Sequence, residues 1–277
     1  MRAIAVRVPT ADAELAADRL WVAGASAVEE LAIDGASVEL RTVLGSDDAV
    51  ARRRLGTVPS SWRVVFVDVD DTPAESWRAF AEPIVVGRRL EITPAWLAPA
   101  PRPGVLSIAI EPAGSFGLGD HPTTRLSAGA VDRLTMAGDR VLDVGCGSGV
   151  LSIVAACRGA ARIVAIDVSE AAREATVANA AANGVLDRVE ASTTPIGEIV
   201  GNFELVVANI LAPTLVAMAD HLVRLTAPDG HLVISGVLSG RYDHVVDALA
   251  PMRVVSEEHL DGWSAVVLRP QHGADLG

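Results

Sequence analysis

Apolar and polar residues alternate with different periods along the chain, and the change of period divides it into two regions. Before about residue 70, short strand-like runs flank an amphipathic stretch, ADAELAADRLWVAG, that ends at Gly24. The strand-like runs are AIAVRV, SAVEELAI, SVELRTVL and WRVVFVDV, and a weakly patterned second helix falls near the basic turn ARRRLG. This order of elements predicts a ferredoxin-like α+β sandwich.

From Leu106 onward, strand-like and helix-like segments follow one another in regular alternation. The strand-like runs are LSIAIEP, RVLDVG, RIVAIDV, RVEAS, ELVVAN and HLVISGV. One predicted helix has Pro122 in its first turn, and another is capped by Ser169 and ends before Gly184. LAPTLVAMADHLVRL is expected to form a single helix. Alternation of this kind predicts a parallel sheet with helices on both faces.

The last two strands, MRVVSEEH and WSAVVLRP, are separated only by LDG. A parallel return needs a crossover of about a dozen residues, so these two strands must be antiparallel. A parallel sheet that ends with an antiparallel strand is typical of class I methyltransferases. A nicotinamide-binding sheet is parallel throughout, so the antiparallel last strand argues against one.

Three regions follow from these patterns. Residues 1–70 form the ferredoxin-like domain, residues 71–85 a linker helix, and residues 86–277 the larger α/β domain. The linker helix is expected in TPAESWRAFAEP. The segment after it, VGRRLEITPAWLAPAPRPG, is predicted to be extended, because prolines interrupt it.

Composition narrows the class of protein. Half of the 277 residues are apolar, which is enough for a sizeable core. No apolar run is long enough to span a membrane, and the N-terminal apolar segment is too short for a secretory signal. We therefore expect a cytoplasmic protein without a membrane segment. The sequence does not give the oligomeric state, and a monomer is favoured.

Charge excludes several kinds of chemistry. The formal net charge of −12 argues against a direct reader of nucleic acid and is compatible with a basic protein partner. The sequence contains no lysine, which excludes P-loop, Schiff-base and kinase chemistry. Cys146 and Cys157 have neither metal-ligand nor redox spacing, so both are expected to be structural and no metal site is predicted. The arginines at 52–54 either contact a partner or form a solvated helix face.

The stretch VLDVGCGSGVLSIVAA, residues 141–156, passes from a strand through a glycine loop into a helix. A dinucleotide fingerprint would have its third glycine at 150, where this chain has Val150. Asp143 at the strand end would repel a pyrophosphate but attract a cation, and S-adenosylmethionine carries an ammonium and a sulfonium. Gly145 and Gly147 allow the backbone to approach such a ligand closely.

The next strand ends in Asp167, twenty residues after Gly147. An acid at this place accepts hydrogen bonds from both ribose hydroxyls, in NAD and in S-adenosylmethionine alike. The alternative is an acid that only starts the helix at Ser169. Asp143 and the terminal hairpin favour the methyl donor over the nicotinamide.

Asn209 ends the strand ELVVAN at the carboxyl edge of the predicted sheet. Its carbonyl oxygen can accept a hydrogen bond from an attacking amine and orient the amine lone pair. The alternative is a cap for the helix that begins near Pro213. DNA and glutamine methyltransferases carry an Asn-Pro-Pro-Tyr signature here, whereas this chain reads Asn-Ile-Leu-Ala, so an aliphatic amine suits the site better than a flipped base.

SFGLGDHPTTRL, residues 115–126, combines a glycine-containing loop with hydroxyls in the first turn of a helix. Thr123 and Thr124 could reach a bound cofactor, or the stretch is a loop with local helix capping. His121 is the ionisable base closest to these hydroxyls. It either accepts a proton or makes a hydrogen bond that orders the loop.

Several of these motifs together resemble the ribosomal protein L11 methyltransferase family. The family signature F-G-T-G-x-H-x-T-T is similar to FGLGDHPTT, residues 116–124. LDVGCGSGVL, IDVSEAA, VVANILA, ISGVL and VGRRLEITPAW are similar to further family motifs in the same order. Leu118 departs from the signature, because the family has a threonine there.

The resemblance implies a Rossmann-like class I S-adenosylmethionine-dependent methyltransferase that releases S-adenosylhomocysteine. It implies that lysine side chains and the N-terminal amine of L11, a basic ribosomal protein, are methylated. The family's cofactor contacts fall on Thr124, Gly145, Asp167 and Asn209, and Phe116 of the signature is a further candidate. The resemblance also implies that the N-terminal domain recognises the substrate and swings on the linker. A different protein or a small-molecule amine stays open as the acceptor.

Overall fold

The computed structural model describes residues 2–25, 28–45, 47–68, 82–97, 102–111 and 120–271. The chain divides into two compact units, residues 1–81 and 82–277. Most of the predicted linker helix lies outside the described residues. Among those described, no helix is both long and apolar enough to cross a membrane.

The first unit is a four-stranded antiparallel sheet with two helices. Its elements are β1 Arg2–Pro9, α1 Ala13–Val22, β2 Glu29–Asp34, β3 Ser37–Thr42, α2 Asp48–Leu55 and β4 Arg63–Asp68. The strand order β2-β3-β1-β4 confirms the ferredoxin-like prediction. The weakly patterned second helix forms because the Asp47 side chain accepts hydrogen bonds from the backbone N–H groups of Ala49 and Val50. In its last turn, the guanidinium of Arg52 lies over the ring of Phe66.

The second unit begins with a small separate sheet. Its strands are β5 Ile84–Val86, β6 Leu90–Pro94 and β7 Leu106–Ile110. β5 and β6 form an antiparallel hairpin, and β7 pairs parallel to β6. The run LSIAIEP is therefore a strand, as predicted, but it lies at the edge of this small sheet and not in the large one.

The large sheet has seven strands in the order β10-β9-β8-β11-β12-β14-β13. They are β8 Arg140–Val144, β9 Arg162–Ile166, β10 Val189–Ser192, β11 Phe203–Asn209, β12 Thr226–Leu238, β13 Met252–Leu260 and β14 Trp263–Pro270. β14 lies antiparallel between β12 and β13. Asp261 and Gly262 both have positive φ, 48° and 83°, as a two-residue type I′ turn requires. The predicted antiparallel end of the sheet is confirmed.

In the described part of this unit, six α-helices cover the two faces of the large sheet. They are α3 Pro122–Leu134, α4 Val150–Cys157, α5 Glu170–Ala182, α6 Ala212–Ala217, α7 Ala219–Leu225 and α8 Asp243–Ala248. Residues of α3, α4 and α5 belong to one buried apolar cluster, and residues of α6, α7 and α8 belong to the other. The prediction of a single helix in LAPTLVAMADHLVRL is wrong. This stretch forms two helices, α6 and α7, because the chain leaves the helical conformation at Met218. The pattern also did not predict α8.

The sheet gathers the predicted site residues at its carboxyl edge. β8, β9, β11 and β12 are parallel, so their C-terminal residues lie at the same edge. Asn209 is paired with Ser235 of β12. The turn between β13 and β14 reaches this edge too, because Trp263 pairs with Leu238 at the end of β12.

Candidate functional site

The glycine loop after β8 is fastened to the end of β9. The backbone N–H groups of Gly145 and Cys146 both donate to the carbonyl oxygen of Ile166, at 2.8 and 3.1 Å. Gly145 has φ of 75°, and a Cβ there would lie 2.4 Å from Cγ2 of Ile210. Gly147 has φ of 54°, also in the left-handed region that glycine favours. The loop therefore needs glycine at both predicted positions.

Asp167 holds this loop from the neighbouring strand. One carboxylate oxygen accepts the backbone N–H of Gly147 at 3.0 Å, and the other accepts that of Ser169 at 2.9 Å. Each oxygen has a second lone pair, so the carboxylate can still accept hydrogen bonds from a ligand. The structure thus brings Asp167 and Gly147 together, and the predicted hydrogen bonds from the ribose hydroxyls stay a prediction. The helix-start alternative is also observed, because Asp167 accepts the hydrogen bond from the backbone N–H of Ser169, the residue that caps α5.

Val168 is a candidate that sequence reasoning missed. Its side chain is 94 % exposed, although it directly follows a carboxylate at a strand end. A single exposed valine beside a polar site offers an apolar surface on which a planar ring can pack. The signal in the sequence was an apolar residue between Asp167 and Ser169, where solvation alone would favour a polar one.

Asp143 lies beneath the glycine loop with none of its surface exposed. One oxygen accepts hydrogen bonds from the backbone N–H and hydroxyl of Ser152, at 3.1 and 2.7 Å. The other oxygen is buried and has no hydrogen-bond partner among the described residues. Burial raises the pKa of Asp143 to about 6; the bonds from Ser152 oppose this shift and the charge of Asp167 adds to it. The attraction of Asp143 for a cation stays a prediction. The carboxylate would act on a ligand through its charge, from beneath the glycine loop.

This burial predicts a pH-dependent stability. The pKa of Asp143 is about 6 in the fold against an ordinary value of 3.8, so the folded state binds more protons between these values. Stability contributed by Asp143 is therefore lost as pH rises from about 4 to about 6. We expect Asp143→Asn to gain stability relative to the wild type over this range, on the order of 3 kcal/mol. Urea unfolding at several pH values measures it.

The matched control for this prediction is Asp187→Asn, because the Asp187 side chain is 79 % exposed. Its stability should follow the wild type at every pH. If Asp143→Asn also ran parallel to the wild type from pH 4 to pH 7, Asp143 would have an ordinary pKa in the fold.

Asn209 stands at the carboxyl edge, half-buried, between Ala208 and Ile210. The capping alternative is wrong: α6 begins after Leu211, and no side chain caps it. Within the described part of the chain, the side-chain amide of Asn209 makes no hydrogen bond. An amide at a strand end without an internal partner is available to a ligand, which is the geometry that an orienting role requires.

Gly236 supports the segment that follows Asn209 and was not singled out from the sequence. It has φ of 83°, and a Cβ there would lie 2.4 Å from the carbonyl oxygen of Ile210 and 2.8 Å from its carbonyl carbon. These contacts are to backbone, so they cannot be relieved by a side-chain rotation. The ISGVL motif therefore fixes the course of the chain beside Asn209.

Gly236→Ala should both destabilise the fold and reduce activity. A Cβ at this position strains the backbone and displaces Ile210. Gly240→Ala imposes a similar positive φ, 72°, but its Cβ would have no atom of the described residues within 4 Å. We expect Gly240→Ala to cost about 1 kcal/mol and Gly236→Ala at least about 2 kcal/mol more, as overpacking does. Denaturant unfolding of both variants tests this. Equal costs would mean that the contact with Ile210 relaxes freely.

His121 is the N-cap of α3. Its Nδ1 accepts the backbone N–H of Thr123 at 3.3 Å and lies 2.8 Å from the Thr123 hydroxyl. Burial lowers the pKa of His121, although the charge of Asp120 opposes this. Its ring meets that of Trp263 edge-on at 5.1 Å. The geometry favours the ordering role over the proton-accepting one, because the Nδ1 lone pair is already engaged.

The remaining predicted residues divide into described and undescribed ones. Thr124 is 1 % exposed, and its hydroxyl makes no hydrogen bond with any residue that the structure describes. Phe116 and Leu118 lie outside the described residues. Cys146 is buried, and the Thr176 hydroxyl lies 3.3 Å from its sulfur; burial raises the thiol pKa, as it does for Cys157. Neither thiol is disposed to react.

Three features at this edge fit an adenosine-bearing sulfonium ligand. They are a glycine loop with positive φ at Gly145 and Gly147, a carboxylate with free lone pairs at the end of the next strand, and an exposed valine beside it. Together with the antiparallel β14, they define a class I S-adenosylmethionine-dependent methyltransferase. A sequence model of the ribosomal protein L11 methyltransferase family, PrmA, matches residues 48–271, and the chain belongs to that family.

Named relatives agree. The chain is 36 % identical over 264 residues to a ribosomal protein L11 methyltransferase of Symbiobacterium thermophilum, covering 94 % of this chain and 83 % of that protein. It is 40 % identical over 215 residues to the one of Geotalea daltonii, covering 73 % and 68 %. A crystal structure of the ribosomal protein L11 methylase of Lactobacillus delbrueckii subsp. bulgaricus covers 69 % of this chain and 100 % of that chain, with a TM-score of 0.65 and 30 % identity.

Proposed function

We propose that this protein transfers methyl groups from S-adenosylmethionine to amines of ribosomal protein L11, both lysine side chains and the N-terminal amine. The observation that carries the proposal is the amide of Asn209, unpartnered within the described chain at the sheet edge that holds the glycine loop. Membership of the family supports the acceptor. The net charge of −12 favours a basic protein partner.

The donor would be held by the residues that shape the loop. S-adenosylmethionine supplies a methyl carbon activated by its sulfonium. Asp167 would accept the ribose hydroxyls, Gly145 and Gly147 would let the ligand lie against the backbone, and Thr124 would add a hydroxyl. The charge of Asp143 beneath the loop would favour the cationic donor, because that carboxylate is buried and its charge is weakly screened.

The acceptor amine must lose its proton before it attacks. A free lysine has a pKa near 10.4, so the neutral form at pH 7 costs about 4–5 kcal/mol. Desolvation beside a cation lowers that pKa, which makes a dedicated base unnecessary. Asn209 would accept a hydrogen bond from the neutral amine and align its lone pair, and alignment accounts for most of the acceleration. His121 would hold the start of α3 in place.

The first unit, residues 1–81, is the proposed recognition domain for the protein substrate. This role is supported by the unit's own hydrophobic core, which includes Ile4, Leu20 and Leu40. A protein that only bound a small amine would not need it.

The test is transfer of radiolabelled methyl groups from S-adenosylmethionine to purified unmethylated L11. A cell extract without L11 is labelled in parallel, and the Asn209→Ala variant controls for contaminating activity. We expect label in several amines of L11. Label only in another component of the extract would keep the methyltransferase and reject L11 as its substrate.

A further inference from the structure

Asn179 of α5 and Asn183, the residue that ends this helix, take the place of a neighbouring strand along the edge of β7 and of Glu111 just after it. The Asn183 side chain accepts the backbone N–H of Ala109 at 2.9 Å and donates to its carbonyl at 2.7 Å. The Asn179 side chain does the same with Glu111, at 2.9 and 2.8 Å. Each amide thus satisfies both backbone groups of one residue, as a paired strand would.

The spacing explains why a helix can do this. Ala109 and Glu111 are two residues apart, about 6.6 Å along a strand, and point to the same side. Asn179 and Asn183 are four residues apart, about 6 Å along one helix face. β7 is paired with β6 on its other side, so α5 covers an edge that would otherwise be open.

Asn179 makes one further bond that Asn183 does not. Its amide also donates to the carbonyl oxygen of Ser148 in the glycine loop, at 2.9 Å. Asn183 instead directs its remaining donor to the carbonyl of Asn179, within its own helix, at 2.8 Å. Asn179 is only 2 % exposed, so solvent cannot replace its bonds.

The same helix face holds the glycine loop at a second point. The Thr176 hydroxyl donates to the carbonyl oxygen of Gly147 at 3.1 Å. A Cβ on Gly149 would lie 2.8 Å from the Thr176 side chain, so loop and helix are in close contact. Asp167 fixes Gly147 through its N–H, and α5 fixes the loop through its carbonyls.

We propose that Asn179 is a positioning residue for the methyl donor: it couples β7 to the glycine loop and thereby sets the loop conformation that the donor binds. The proposal rests on the methyltransferase class and not on the identity of the acceptor. Asn183, with the same side chain on the same helix face, only anchors β7.

The test compares Asn179→Ala with Asn183→Ala, because each wild-type side chain makes three hydrogen bonds. Binding of S-adenosylhomocysteine is measured by calorimetry, and thermal unfolding is measured on the same samples. We expect both variants to lower Tm. Asn179→Ala should weaken binding at least about 10-fold, and Asn183→Ala by less than about twofold.

Two results overturn the proposal: equal loss of affinity in both variants, or unchanged affinity in Asn179→Ala. If Asn179→Ala does not fold, Asn179→Ser makes a smaller change at the same place and is judged by the same criteria. Because no acceptor enters the experiment, rejection of L11 as the substrate would leave its outcome unaffected.

Discussion

Asn209→Ala should lower kcat by about 10²- to 10³-fold while changing the affinity for S-adenosylhomocysteine by less than about threefold. The amide of Asn209 has no partner within the described chain, and it neither caps α6 nor supports the loop. Its loss should therefore affect alignment of the amine rather than the fold or the donor site. Steady-state kinetics with saturating donor, together with calorimetry, separates the two effects.

The control is Asn202→Ala, at the opposite end of β11. Asn202 is exposed, and its side chain donates to the carbonyl of Arg224 at 3.4 Å. Its kcat should equal that of the wild type. Equal losses of kcat and donor affinity in Asn209→Ala would reject the orienting role and make Asn209 a donor contact.

Asp167→Ala should weaken donor binding at least about 100-fold, which corresponds to about 2.7 kcal/mol. The substitution removes the anchor of the Gly147 N–H, 3.0 Å from the carboxylate, together with the proposed acceptor of the ribose hydroxyls. Both losses act before the chemical step, so kcat at saturating donor should fall much less than kcat/KM. Titration with S-adenosylhomocysteine measures the affinity directly.

Ser169→Ala separates this role from the helix-start alternative. It removes the hydroxyl that caps α5 through the N–H of Ala172, and it leaves the Asp167 carboxylate in place. We expect a lower Tm with unchanged donor affinity. If Ser169→Ala weakened binding as much as Asp167→Ala, the acid would act only by starting the helix.

Local chemistry explains which features were predictable. The Asp-Gly turn before Trp263 forces an antiparallel return because two residues cannot make a crossover. Gly147 and Asp167 lie at the same edge because Gly147 is in the loop after β8, Asp167 directly follows β9, and these two strands are parallel. These arguments concern neighbours along the chain, so periodicity and turn residues were sufficient for them.

The predictions that the structure overturned came from weak local patterns. β7 has the pattern of a strand in any sheet, and its pattern does not identify the strand it pairs with. The break at Met218 interrupts an apolar pattern that continues on both sides, and α8 is a helix of only six residues. Composition does not resolve such cases, because packing overrides propensity in short segments.

The sequence by itself determined the two folds, the glycine loop with Asp167, and the strand end that carries Asn209. Only the tertiary structure decided that Asp143 is fully buried, that Asn209 caps no helix, and that His121 caps α3. It alone revealed that Gly236 packs on the backbone of Ile210 and that Asn179 joins β7 to the glycine loop. The reason is physical: the contacts of Gly236 and Asn179 join residues 26 to 68 positions apart, whereas strand and helix periodicity reports only on near neighbours.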